Sequence, residues 1–80
     1  MATGTIRYWA AARAAAGRAE EPYEGDTLGE VLETVTAGRP EQLARVLGHC
    51  TFLVDGVRAT PATVLADGAE IEVLPPFAGG

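Results

Sequence analysis

The chain has no lysine: its six basic residues are all arginine, set against eleven acids for a net charge of −5. That balance argues against a nucleic acid or an anionic membrane as partner and favours partners with basic surfaces. A single cysteine, Cys50, excludes an intramolecular disulfide and fits a reducing compartment. The only histidine, His49, has no cysteine or histidine at ligand spacing, which argues against a zinc site and against a Cys-His catalytic pair. No glycine-rich phosphate loop is present. No apolar run approaches the roughly 20 residues of a membrane span, and no apolar segment follows a basic start as in a signal peptide, so the expected location is the cytoplasm.

Eighty residues, 48% of them hydrophobic, make one domain, residues 1–80. A chain this short buries only about 60% of the surface its unfolded form exposes, and ten glycines with many alanines make its core light. Alternation over Thr5–Ala10 predicts a first strand, with Ile6, Tyr8 and Ala10 on one face and Arg7 and Trp9 on the other. Ala11–Ala16 suits a helical turn or a loop stopped by Gly17. Glu20–Glu24 reads as a short strand that Pro22 places at a sheet edge. Thr27 and Glu30 have capping-box spacing at the head of the main helix, whose apolar stripe is Leu28, Val31, Leu32 and Val35. Pro40 begins a second short helix carrying Leu43, Val46 and Leu47. Cys50–Val54 is an apolar strand, Asp55-Gly56 a hairpin turn, and Glu70–Leu74 the last strand, with Ile71 and Val73 inward. Strands, a crossover helix and more strands predict an α+β fold: a mixed sheet with the helix packed on one face.

On this pattern Ile6, Tyr8, Phe52, Val54, Ile71 and Val73 face the helix. Trp9, Leu53 and Leu74 then fall on the opposite face beside Arg7, Thr51 and Glu72, which marks them as candidates for a partner surface. Cys50, at the start of an apolar strand, reads as structural, and the paired acids Glu20-Glu21 and Glu70/Glu72 read as solvated faces.

The last strand runs into Pro75-Pro76-Phe77-Ala78-Gly79-Gly80. Two prolines stiffen the stem, and two glycines without Cβ let its tip pass through a narrow channel. Fully extended, these residues reach about 20 Å, enough to put the terminal carboxylate inside a partner.

This ending, with Tyr8-Trp9-Ala10-x-x-Arg13-x-x-x-Gly17 after the first strand, resembles the small subunits of molybdopterin synthase, within the MoaD/ThiS ubiquitin-like sulfur carriers. The resemblance spans nearly the whole chain and implies a ubiquitin-like β-grasp whose first and last strands lie parallel in the centre. It implies a chain that is no enzyme on its own and binds no cofactor. Gly80 would be adenylated by a ubiquitin-activating-like adenylyltransferase that consumes ATP. A persulfide donor would then convert it to a thiocarboxylate, with Gly79 giving clearance. The synthase large subunit would receive the tail, with Trp9, Leu53, Leu74, Pro75, Pro76 and Phe77 as partner contacts. Carriers of the cysteine and thiamine pathways, or of thiolated secondary metabolites, share the Gly-Gly end, and a ubiquitin-like protein modifier or interaction domain is the alternative of another class.

Overall fold

Ala2–Tyr8 forms β1, in which Ile6 and Tyr8 are buried in the core. The fold is that of a computed structural model in which residues 1–76 are described. The strand starts earlier than the alternation predicts and ends at Tyr8. Ala10 does not share the inner face, because it turns to a φ of 48° and opens helix α1 (Ala10–Ala16). An alanine-rich run is the strongest helix-forming sequence available, and it overrides the alternation that continues into it. Gly17, at φ 78°, ends the helix in the left-handed conformation glycine adopts without strain.

Strand β2 (Glu20–Gly25) pairs antiparallel with β1, with Pro22 opposite Thr5. As expected of a strand that contains proline, it lies at the sheet edge. Helix α2 (Leu28–Thr36) starts with the expected capping box. Thr27 Oγ1 accepts from the Glu30 amide at 3.2 Å, and Glu30 Oε1 accepts from the Thr27 amide at 3.3 Å and the Asp26 amide at 2.8 Å. Two further orphan amides of its first turn, those of Leu28 and Gly29, donate to the carbonyls of Thr63 and Pro61. The irregular segment 60–65 is thereby strapped to the start of α2. Helix α3 (Glu41–Leu47) follows, with Leu43 and Leu47 buried.

Strands β3 (Thr51–Val54) and β4 (Val57–Ala59) form the expected hairpin, with Asp55 and Gly56 both at positive φ, as a two-residue turn of this hand requires. Strand β5 (Glu70–Leu74) completes a five-stranded sheet of order β2-β1-β5-β3-β4, in which β1 and β5 are parallel neighbours. The three helices cover one face, and Leu28, Val31, Val35, Leu43 and Leu47 pack with Ile6, Tyr8, Ile71 and Val73 in one core. Phe52 and Val54 pack against it from β3, on the helix side as the alternation predicts.

One close approach was not legible. Tyr23 Oη donates to the Ala69 carbonyl at 2.6 Å across β1, and Gly4 makes the room. A Cβ on Gly4 would meet both that carbonyl and, at 2.7 Å, the Tyr23 hydroxyl. We expect Gly4→Ala to cost about 2 kcal/mol, a fall in melting temperature on the order of 10 °C, which a thermal melt reads directly.

Candidate functional site: the root of the C-terminal segment

The parallel pairing of β1 and β5 makes both strands end at the same edge of the sheet, with Tyr8 opposite Val73. One residue further on, the Trp9 amide donates to the Val73 carbonyl at 3.2 Å, while Leu74 pairs on its other side with Thr51. The chain leaves the sheet there through half-buried Pro75 and exposed Pro76. Phe77, expected at a partner contact, and Gly79 and Gly80, expected to carry the chemistry, lie outside the described residues.

The face away from the helices follows from the registers. Arg7, Glu20 and Glu72 share it with Leu53 and Arg58, and Glu70 and Leu74 stand on the same side of β5. Segment 60–65 is tied to α2 on the helix side and does not cross it. Leu53 and Leu74 are half-buried, whereas Trp9 is 43% exposed and its Nε1–H donates to Glu72 Oε2 at 3.1 Å. Arg7 reaches Glu20 at 3.3 Å and Glu70 at 3.5 Å, partly exposed pairs that contribute little to stability. Trp9 is also the N-cap of α1, yet its side chain makes no capping hydrogen bond. Tryptophan is a poor choice there on helix physics alone, and the positive φ of the following Ala10 adds strain.

The reading of Glu20-Glu21 as a solvated pair is corrected for Glu21, which is buried. Its Oε2 accepts from Tyr8 Oη at 2.6 Å and from Arg39 Nη1 at 2.7 Å, and its Oε1 accepts from Arg39 Nη2 at 2.6 Å. The fork from Arg39 holds the Glu21 carboxyl below the ordinary range, against the opposing effect of burial. Burial, and then the bond to Glu21, push the Tyr8 phenol far above its usual value. Among the described residues no buried side-chain nitrogen or oxygen lacks a partner. The cluster is a brace between β1, β2 and the α2–α3 loop.

Cys50 precedes β3 rather than beginning it. It is half-buried, its thiol donates to the Val46 carbonyl at 3.2 Å, and burial raises its pKa, so the reactive thiolate is disfavoured. We expect Cys50→Ala to cost about 1 kcal/mol and to leave intact the sulfur loading that the resemblance implies; a correctly folded variant that cannot be loaded would give the thiol a role in the transfer. Among the described residues no group of His, Cys, Asp and Glu is placed to hold a metal ion, and no helix is long and apolar enough to cross a membrane.

Residues 6–80 match the model of the ThiS family. The chain belongs to that family. This places it among the ubiquitin-like sulfur carriers and modifiers, small proteins that act as non-catalytic partners of larger enzymes. Its β-grasp is shared with small archaeal modifier protein 1 of Methanosarcina acetivorans, at 28% identity and a TM-score of 0.86 over 100% of this chain and 98% of that one. The corresponding protein of Haloferax volcanii is 25% identical, with a TM-score of 0.82 over 98% and 99% of the two chains. A complex of subunits 1 and 2 of molybdopterin-converting factor from Helicobacter pylori contains a chain with the same fold, at 23% identity and a TM-score of 0.70 over 98% and 99%. A comparison with curated proteins finds no match. In this ThiS-family chain the Tyr8–Gly17 stretch that carries part of the resemblance meets the root of the C-terminal segment, where the Trp9 amide bonds to Val73 beside Leu74.

Proposed function

We propose that this ThiS-family chain is the sulfur carrier of molybdopterin biosynthesis, the small subunit of a two-subunit synthase. The observation that carries this reading is the hydrogen bond from the Trp9 amide to the Val73 carbonyl, which brings the stretch that follows β1 to the end of β5, where the tail begins. In the proposed cycle the Gly80 carboxylate attacks the α-phosphate of ATP on an activating adenylyltransferase and expels pyrophosphate. A persulfide then attacks the acyl-adenylate carbonyl and releases AMP. A second thiol reduces the resulting acyl disulfide, leaving a thiocarboxylate on Gly80 and a disulfide on the donor. The tail then delivers its sulfur inside the synthase large subunit to a pterin precursor, and hydrolysis restores the carboxylate. Incubating the loaded chain with that large subunit and the precursor should yield molybdopterin; a carrier that loads with sulfur but yields none belongs to another sulfur pathway.

The open face at the tail root serves as the docking surface in this reading. Trp9, Leu53 and Leu74 are exposed or half-exposed there, and aromatic residues are favoured interface anchors. Trp9→Ala should weaken binding to the activating enzyme and to the large subunit by about 2 kcal/mol, roughly 30-fold in Kd. The melt of the free domain should fall only modestly, since Trp9 is already 43% exposed. Calorimetric titration beside a thermal melt checks both, and unchanged affinity would remove Trp9 from the interface.

A second reading is favoured by the 28% identity to an archaeal modifier protein: the activated terminus acylates amines of other proteins. Mass spectrometry of the native protein separates the two, because a carrier exchanges one oxygen for sulfur and a modifier is found attached to other chains.

A further inference from the structure

Trp9 Nε1–H donates to Glu72 Oε2 at 3.1 Å, a bond between residues 63 apart in sequence. Around it, the backbone of Trp9 is already fixed. Its amide donates to Val73, its carbonyl accepts from the amides of Ala12 and Arg13, and Ala10 takes a φ of 48° to turn the chain into α1 directly behind it. The residue is 43% exposed, and the carboxylate of Glu72 is the hydrogen-bond partner of its side chain among the described residues, which favours one orientation of the indole over the others. Glu72 is well placed for that task. It sits on the central strand β5, in register with Arg7 on one side and Leu53 on the other, and an inner strand moves little.

We infer that Glu72 is a positioning residue, holding the Trp9 indole over the open face beside Leu53 and Leu74 so that the docking surface is formed before a partner arrives. This rests on the sulfur-carrier reading only in the identity of the partner, the activating adenylyltransferase. Ordering a rotamer-rich side chain at an interface costs on the order of 1 kcal/mol, so a chain that has to order Trp9 during docking binds about five-fold more weakly.

Trp9 is the only tryptophan, so fluorescence anisotropy of the free protein reports the mobility of this one side chain. Three proteins separate the possibilities: wild type, Glu72→Ala and Glu72→Gln. The amide oxygen of Gln can still accept from the indole, whereas its lost charge removes any simple attraction to a basic partner. Positioning predicts lower anisotropy and about five-fold weaker binding to the purified adenylyltransferase for Glu72→Ala, with Glu72→Gln near wild type in both. Equal anisotropy in wild type and Glu72→Ala overturns the inference, as does Glu72→Gln binding as weakly as Glu72→Ala, which would make the role one of charge. Wild-type protein that neither binds nor is adenylated brings down the sulfur-carrier reading and the docking role with it, and the anisotropy then decides by itself whether Glu72 holds the indole.

Discussion

Removing Gly80 is expected to abolish adenylation and sulfur loading while leaving the melting temperature where it is. The two halves have separate physical grounds. Among the described residues the core runs from Ala2 to Val73, and a glycine has no side chain to add to a core. In the proposed cycle, by contrast, loading depends on one carboxylate reaching the α-phosphate of ATP, and a chain one residue shorter stops about 3.5 Å short of it. A displacement of that size destroys in-line geometry, for which even a 1 Å error costs about 100-fold in rate. Gly79→Phe should fail for a different reason, since it keeps the reach but adds a ring to a segment that the proposed cycle threads into a partner. Pyrophosphate exchange reads adenylation and a thermal melt reads the fold. Normal exchange in either variant would move the chemistry elsewhere in the chain.

The second large effect is on stability. Glu21→Ala leaves the guanidinium of Arg39, 25% exposed, and the hydroxyl of buried Tyr8 without their shared acceptor. Breaking a buried pair from one side costs more than the pair is worth, because the remaining charge stays desolvated, and we expect about 3 kcal/mol and a fall of roughly 15 °C in melting temperature. Replacing the set together, as Tyr8→Phe, Glu21→Leu and Arg39→Met, should be milder for the same reason. The pH dependence carries a sign at each end. The Glu21 carboxyl is held below its ordinary value of 4.5, so the stability it adds is complete above that pH and drains away as pH falls through the lower folded value. Tyr8 is raised above its ordinary 10.0, so its contribution is complete below that pH and is lost as pH rises through the folded value. Glu21→Gln should therefore flatten the acid limb of a plot of stability against pH. A melt of Glu21→Ala within about 2 °C of wild type would show that the brace contributes no more than a surface pair.

Short-range chemistry made most of the fold legible in advance. The capping box at Thr27, the Asp55-Gly56 hairpin, the edge position implied by Pro22 and the inward set on β1, β3 and β5 all follow from rules spanning a few residues. Where two local rules competed the reading went wrong, as at Ala10, where alternation and alanine's helix preference gave opposite answers. What stayed invisible was paired across long separations. Glu21 looks like its exposed neighbour Glu20 until Arg39, 18 residues away, is folded onto it. Gly4 shows no turn or cap signal, because its reason is the hydroxyl of Tyr23 from the next strand. At the tail root, alternation placed Trp9, Leu53 and Leu74 on the open face, but neither the N-cap position of Trp9 nor its bond to Glu72 had any signal in spacing.

The central claim is that the C-terminal glycine accepts sulfur, and intact-protein mass spectrometry tests it most directly. Purified protein is incubated with the activating adenylyltransferase, ATP, a persulfide donor and a thiol reductant, and its mass is compared with that of an ATP-free control. The account predicts a gain equal to the exchange of one oxygen for one sulfur, confined to the C-terminal peptide and absent from the Gly80 deletion. An unchanged mass in a reaction where the same enzyme loads a known carrier, or sulfur found on Cys50 instead of the terminus, would contradict it.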